Sequence, residues 1–220
     1  MRHLFRAFVV LLLILVVSAP SPAAKKKRIP LLLNTGVTAE LPSPPAGGVA
    51  QKCENWAWAA GVETILRSQG VALDQHYWVQ KSDAGEICLE SLAPLEQLSK
   101  VVTGEYVLDD ASKVRLEARY TLGAPANVDS IILGLRAGQP ALLVWKGHAY
   151  VLYGVVYDEY VSPTGHRFFD IRELKLVDPF FADDSRLLSF VKDRDDSADI
   201  GGTFEIAVTR ITPTDWMHRN

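Results

Sequence analysis

The apolar period of this chain changes midway, from helical spacing to strand spacing, and that switch limits its fold more than any other feature. Trp58, Val62, Ile65 and Leu66 form a stripe at helical spacing, with Glu63 and Arg67 four apart on what reads as the outer side. Asn55 suits an N-cap and Gly70 a C′ terminator, so the pattern predicts a helix over 56–69. Further helices are expected near 74–81, 92–101 and 128–137, the last with Asn127 as cap and Ile131, Ile132 and Leu135 pointing inward. Beyond residue 140 the runs 141–145, 149–157, 168–177 and 203–211 are rich in Val, Leu, Tyr and Phe and are separated by turn signals. Ser162-Pro163-Thr164-Gly165 reads as a hairpin turn between two of them. Helices first and antiparallel strands second is an α+β order.

The two ends of the first fifty residues read differently. Arg2 and Arg6 precede an apolar run from Ala7 to Val17, followed by small residues and prolines through Ala24. Residues 1–24 are expected to be a secretory signal peptide, cleaved after Ala23 or Ala24, because the apolar run is well short of the roughly 20 residues a spanning helix needs. The expectation is a secreted or periplasmic protein without a stable membrane anchor. Residues 25–50 hold Pro30, Pro42, Pro44, Pro45, Gly47 and Gly48 and read as an extended lead-in, leaving 51–220 as one domain.

Loss of the leader removes two Arg and moves the formal charge from −3 to −5. Lys25-Lys26-Lys27-Arg28 then heads a mildly acidic body that has no basic stripe, so no nucleic-acid partner is expected. Cys53 and Cys88 are the only cysteines, the count for one disulfide in an oxidising compartment, with two separate thiols as the alternative. Closing that loop of about 36 residues would stabilise the fold by roughly 3–4 kcal/mol in the chain-entropy picture. The acids between Ala182 and Ala198 match no calcium-loop spacing and read as a solvated insertion with a short helix near 187–191. There is no Gly-x-Ser-x-Gly elbow, phosphate-binding glycine loop or metal-ligand spacing, so neither metal nor cofactor is expected.

The stretch Gln51-Lys52-Cys53-Glu54-Asn55-Trp56-Ala57-Trp58-Ala59-Ala60 carries the functional signal. It resembles the active-site opening of papain-like cysteine peptidases, including bacterial and double-glycine-peptidase-like members. In that family a Gln lies six residues before a Cys that starts a helix reading on as Trp-Ala. Gln51 stands six before Ala57, which Trp58 and Ala59 follow, so a methyl group occupies the place of the thiol. The resemblance implies a papain-like fold, an N-terminal helical half with a central active-site helix and then an antiparallel sheet. It also implies roles: His148, opening the strand after Gly147, as base; Asp178, at a strand end before Pro179, as its orienting partner; and the Gln51 amide as oxyanion donor beside the N–H of residue 57. Asn55 and Trp58 are candidate binding residues whose plainer roles are N-cap and helix-to-sheet packing. Family peptidases often carry a second, disulfide-bonded Cys near this place, which gives Cys53 a structural use with Cys88.

Three functions follow as expectations. The first is a secreted pseudopeptidase that binds a peptide or protein partner. The second is an active cysteine peptidase or acyltransferase that uses Cys53 with His148 and Asp178. The third is a structural interaction module.

Overall fold

The computed structural model describes residues 29–41, 49–82, 95–125, 128–180 and 187–212. The expected signal peptide and the Lys25–Arg28 run therefore lie outside the described residues. In chain order the elements are β1 (Leu31–Glu40), α1 (Ala57–Ser68), α2 (Gln75–Lys81), α3 (Leu95–Val102), β2 (Gly104–Val107) and β3 (Lys113–Leu122). Then follow α4 (Asp129–Arg136), β4 (Ala141–Trp145), β5 (His148–Val161), β6 (Arg167–Val177), β7 (Leu187–Val191) and β8 (Ile200–Ile211). The α+β class holds. Among the described residues no helix is long and apolar enough to cross a membrane.

All strands join one antiparallel sheet in the order β2-β3-β8-β4-β5-β6-β7. β1 pairs with residues 154–161 of β5, continuing beyond the stretch 148–152 that β4 occupies. Every residue of β4 is buried, as a central strand covered on both faces requires. Its alternation sorts two cores. Leu142 and Val144 face a cluster with Trp58, Val62, Ile65 and Leu66 of α1, whereas Leu143 and Trp145 face one with Ile131, Ile132 and Leu135 of α4.

The helix of the strong stripe forms, with two corrections, one at its cap and one mid-helix. Its N-cap is Trp56, not Asn55, and no side chain caps it. Glu63 is buried rather than outward, because residues 57–66 are buried all round and α1 is a central helix. Its other end behaves as expected: Gly70 takes a positive φ of 74°, and the Gly70 and Val71 N–H groups bond the Arg67 and Leu66 carbonyls in a Schellman motif. α4 has Val128 as N-cap without a side-chain bond, and Asn127 lies outside the described residues.

Four strands depart from the expectations. The lead-in contains β1, whose near-continuous exposure gives no buried period to read. β2 and β3 are additional strands, with alternation confined to Val114 and Leu116. The segment 187–191, expected as a short helix, is β7, held by pairing to β6 over 173–177. The Ser162–Gly165 turn closes the β5–β6 hairpin through a bond from the Gly165 N–H to the Ser162 carbonyl at 2.9 Å.

Candidate functional site

The loop that leads into α1 is held in place by buried polar side chains. Gln75, fully buried at the start of α2, accepts from the Lys52 N–H at 2.8 Å and donates through Nε2 to the Ala50 carbonyl at 3.1 Å. Its own backbone N–H donates to the buried Glu63 carboxylate at 2.9 Å, and the Arg67 guanidinium meets the other Glu63 oxygen at 2.6 Å. Glu63 thus places a negative charge at the positive end of α2 while bracing the loop. The Thr64 hydroxyl adds a third brace, accepting from the Val49 N–H at 3.0 Å.

Inside this loop the turn 53–56 closes with a bond from the Trp56 N–H to the Cys53 carbonyl at 3.0 Å. The Gln51 side chain secures the same turn: its Nε2 donates to the Cys53 carbonyl at 3.0 Å and the Glu54 carbonyl at 2.7 Å. In this structure the amide is turned into the loop. An amide nitrogen has two hydrogens, and both are committed to the turn rather than to a position beside residue 57. Its Oε1 is buried without a hydrogen-bond partner.

The second half of the site comes from strand ends. β4 and β5 are joined by the two-residue turn Lys146-Gly147, with φ of 51° and 76°, the paired positive values of a type I′ hairpin. That turn puts His148 opposite Trp145 at the first position of β5. One strand over, β6 stops at Val177, and Asp178 projects beside His148, with His148 Nε2 2.9 Å from Asp178 Oδ1. The same carboxylate oxygen accepts from the Phe180 N–H at 2.8 Å, which fixes the acid against its own loop. Both side chains are partly shielded, His148 at 28% and Asp178 at 14% exposure, so the pair is screened yet open to solvent. The Tyr150 ring stands edge-on to the His148 ring at 4.7 Å, and its hydroxyl is pushed upward first by burial and then by the Asp178 charge.

One backbone bond joins the halves: the Gln51 N–H donates to the Pro179 carbonyl at 2.8 Å. The fold therefore gathers Gln51, Asp178 and His148, residues far apart in the chain. Ala57 is the first residue of α1, buried in the same cluster as Ala149, the neighbour of His148. Trp58 is buried in that cluster as well, a packing residue with no face for a ligand. Trp56 stands edge-on to His76 at 4.9 Å, and Asn55 is half-buried in the turn. Cys88 lies outside the described residues, so the expected Cys53–Cys88 bridge does too.

Gln75, Glu63 and Thr64 are the positioning residues that the sequence reading missed. The signal for Glu63 was mixed: Ala59, Ala60 and Leu66, one helical turn to either side, are apolar, but Arg67 at i+4 is charged and pointed the face outward. Nothing local marks Gln75, whose partners lie 12 to 25 residues away. No protein-family model matches the chain, and no curated protein matches it either.

Proposed function

We propose that this chain is a papain-like pseudopeptidase, exported from the cell, whose cleft binds a peptide or protein instead of cleaving it. The observation that carries the reading is the His148–Asp178 pair, tied through Pro179 to the Gln51 loop at the head of a helix whose first residue is Ala57. In a thiol peptidase the Nε2-to-acid contact would hold the imidazole so that Nδ1 serves the nucleophile, and the helix N-terminus would favour the thiolate. Here the positive helix end and the oriented imidazole have no thiol to act on. Catalysis by Cys53 fits poorly, because its carbonyl is held by both the Trp56 N–H and the Gln51 amide within a closed turn. That leaves recognition as the function such a frame still supports.

The test is to restore the missing atom. In the Ala57→Cys chain, a peptide-like electrophile is expected to alkylate residue 57, as read by mass spectrometry of the digested protein. Labelling should slow by about a hundredfold or more when His148→Ala is added, the usual scale for loss of a general base. If the folded Ala57→Cys protein labels no faster than a free thiol, and is indifferent to His148, the papain-like reading fails.

A further inference from the structure

We propose that the cavity between β6, β7 and the start of α4 is a binding site for a small molecule with an apolar body and one positive charge. This rests on different observations from the peptidase reading and stands or falls separately. The cavity has a volume of about 430 Å³, within the range of small-molecule sites.

Its floor follows from the strand period. Phe169 and Ile171 alternate onto one face of β6, and a bulge between Ile171 and Glu173 shifts the period by one, so Leu174 joins them. α4 packs on β1, β4 and β5 rather than on β6, which leaves Phe169 and Ile171 only half-buried. Phe190 and Ile200 wall one side and Val128, at the head of α4, the other; all three are buried. Both aromatic walls are fixed from behind. The buried Tyr157 stands edge-on to Phe169 at 5.1 Å, and Trp145 edge-on to Phe190 at 5.6 Å. A cavity braced in this way is formed before a ligand arrives, which lowers the cost of binding.

Charge at the rim selects the head group. Asp170, Lys192, Asp195 and Asp196 line the mouth. Lys192 pairs with Asp170. Arg194 meets Asp195 at 2.8 Å, and the same Asp195 oxygen accepts from the Val191 N–H at 2.8 Å. Asp196 makes no ion pair among the described residues; one of its oxygens accepts from the Ala198 N–H at 2.9 Å, and the residue is exposed. The rim therefore carries one uncompensated negative charge beside apolar walls, a setting in which the field is focused rather than screened. An ammonium is attracted there and a carboxylate repelled, and the Phe169 and Phe190 rings favour a cation further.

The experiment is titration calorimetry at neutral pH on the chain as the expressing cell releases it. Three probes share one body and differ in the head: phenylbutylamine, phenylbutanol and phenylbutyrate. The amine is expected to bind at least about tenfold tighter than the carboxylate at low salt, with the alcohol between them. That gap should shrink when NaCl is raised to about 0.5 M. Asp196→Asn should weaken the amine about threefold or more and leave the alcohol unchanged. Ser197→Trp and Ala124→Trp, both at exposed rim positions outside the core, should each block the mouth and abolish binding of all three. Any one of five results would overturn the proposal: equal affinity for amine and alcohol, tighter binding of the carboxylate, an amine preference indifferent to Asp196→Asn, binding that survives both tryptophan variants, or no binding of any probe up to about 10 mM.

Discussion

Gln51 shows how one side chain can change a site's capacity without changing its outline. Its amide has two N–H groups, and the Cys53 and Glu54 carbonyls take both. A developing oxyanion would find no donor in the Gln51 side chain, only the N–H of residue 57, and loss of one such donor costs about a hundred- to a thousandfold in rate. The Ala57→Cys chain is therefore expected to alkylate but not to hydrolyse a chromogenic peptide amide above background, which a plate assay would read. The same bonds predict a stability effect. Gln51→Met removes one part-buried and one exposed hydrogen bond and should cost roughly 1–2 kcal/mol in urea unfolding. Gln51→Glu should cost more at neutral pH, because a carboxylate would face two carbonyl oxygens.

The packing of α1 on β4 reverses an ordinary helix preference. Gly61 lies mid-helix, where Ala is normally better by about 1 kcal/mol. A Cβ at this position would lie 2.3 Å from Leu142 Cδ1, inside a core where Leu142 is fully buried. Gly61→Ala is therefore expected to destabilise by about 1–3 kcal/mol, as overpacking does. Adding Leu142→Val should recover part of the loss, and a double-mutant cycle by thermal melting would show the coupling. This contact explains what was legible in the sequence and what was not. The helical stripe, the Gly70 stop and the run 141–145 could be read because each is a local pattern: a period, a positive-φ glycine, a short apolar block. β1 and β7 could not be read, because each has a single buried residue, Ala39 and Phe190, and so no period, and pairing with distant strands decides their state. At the site, His148 and Asp178 were legible as a strand start and a strand end, where turn chemistry marks the position. The commitment of the Gln51 amide was hidden, since it depends on a loop conformation imposed from outside by Gln75 and Thr64.

Across the whole sheet, β4 and β1 share one edge of β5, and the β1 portion has a built-in acid sensitivity. β1 is bulged between Leu32 and Val37, where the regular ladder lapses. Asp158 replaces the missing bonds. It is nearly fully buried, and Oδ1 accepts from the Gly36 N–H and the Thr35 hydroxyl, both at 2.9 Å. The other oxygen meets Arg172 at 2.6 Å. The Gly36 N–H first, and the Arg172 guanidinium second, hold this carboxyl below the ordinary Asp value of 3.8. A depressed carboxyl stabilises the fold fully above that ordinary value, and its contribution is lost as pH falls through the lowered one. From neutral pH down to about 4 the attachment of β1 should therefore not change, and below that it should loosen. Asp74 and Asp195 are also held low and add to the general acid limb, so a substitution is needed to isolate Asp158. In Asp158→Asn the amides of 34–38 are expected to exchange faster than in the unaltered chain at pH 6, with the gap narrowing as pH drops below about 4. Hydrogen exchange read by mass spectrometry on the peptide containing 31–40 measures both, and a gap that stayed constant with pH would mean that Asp158 does not hold the strand by its charge.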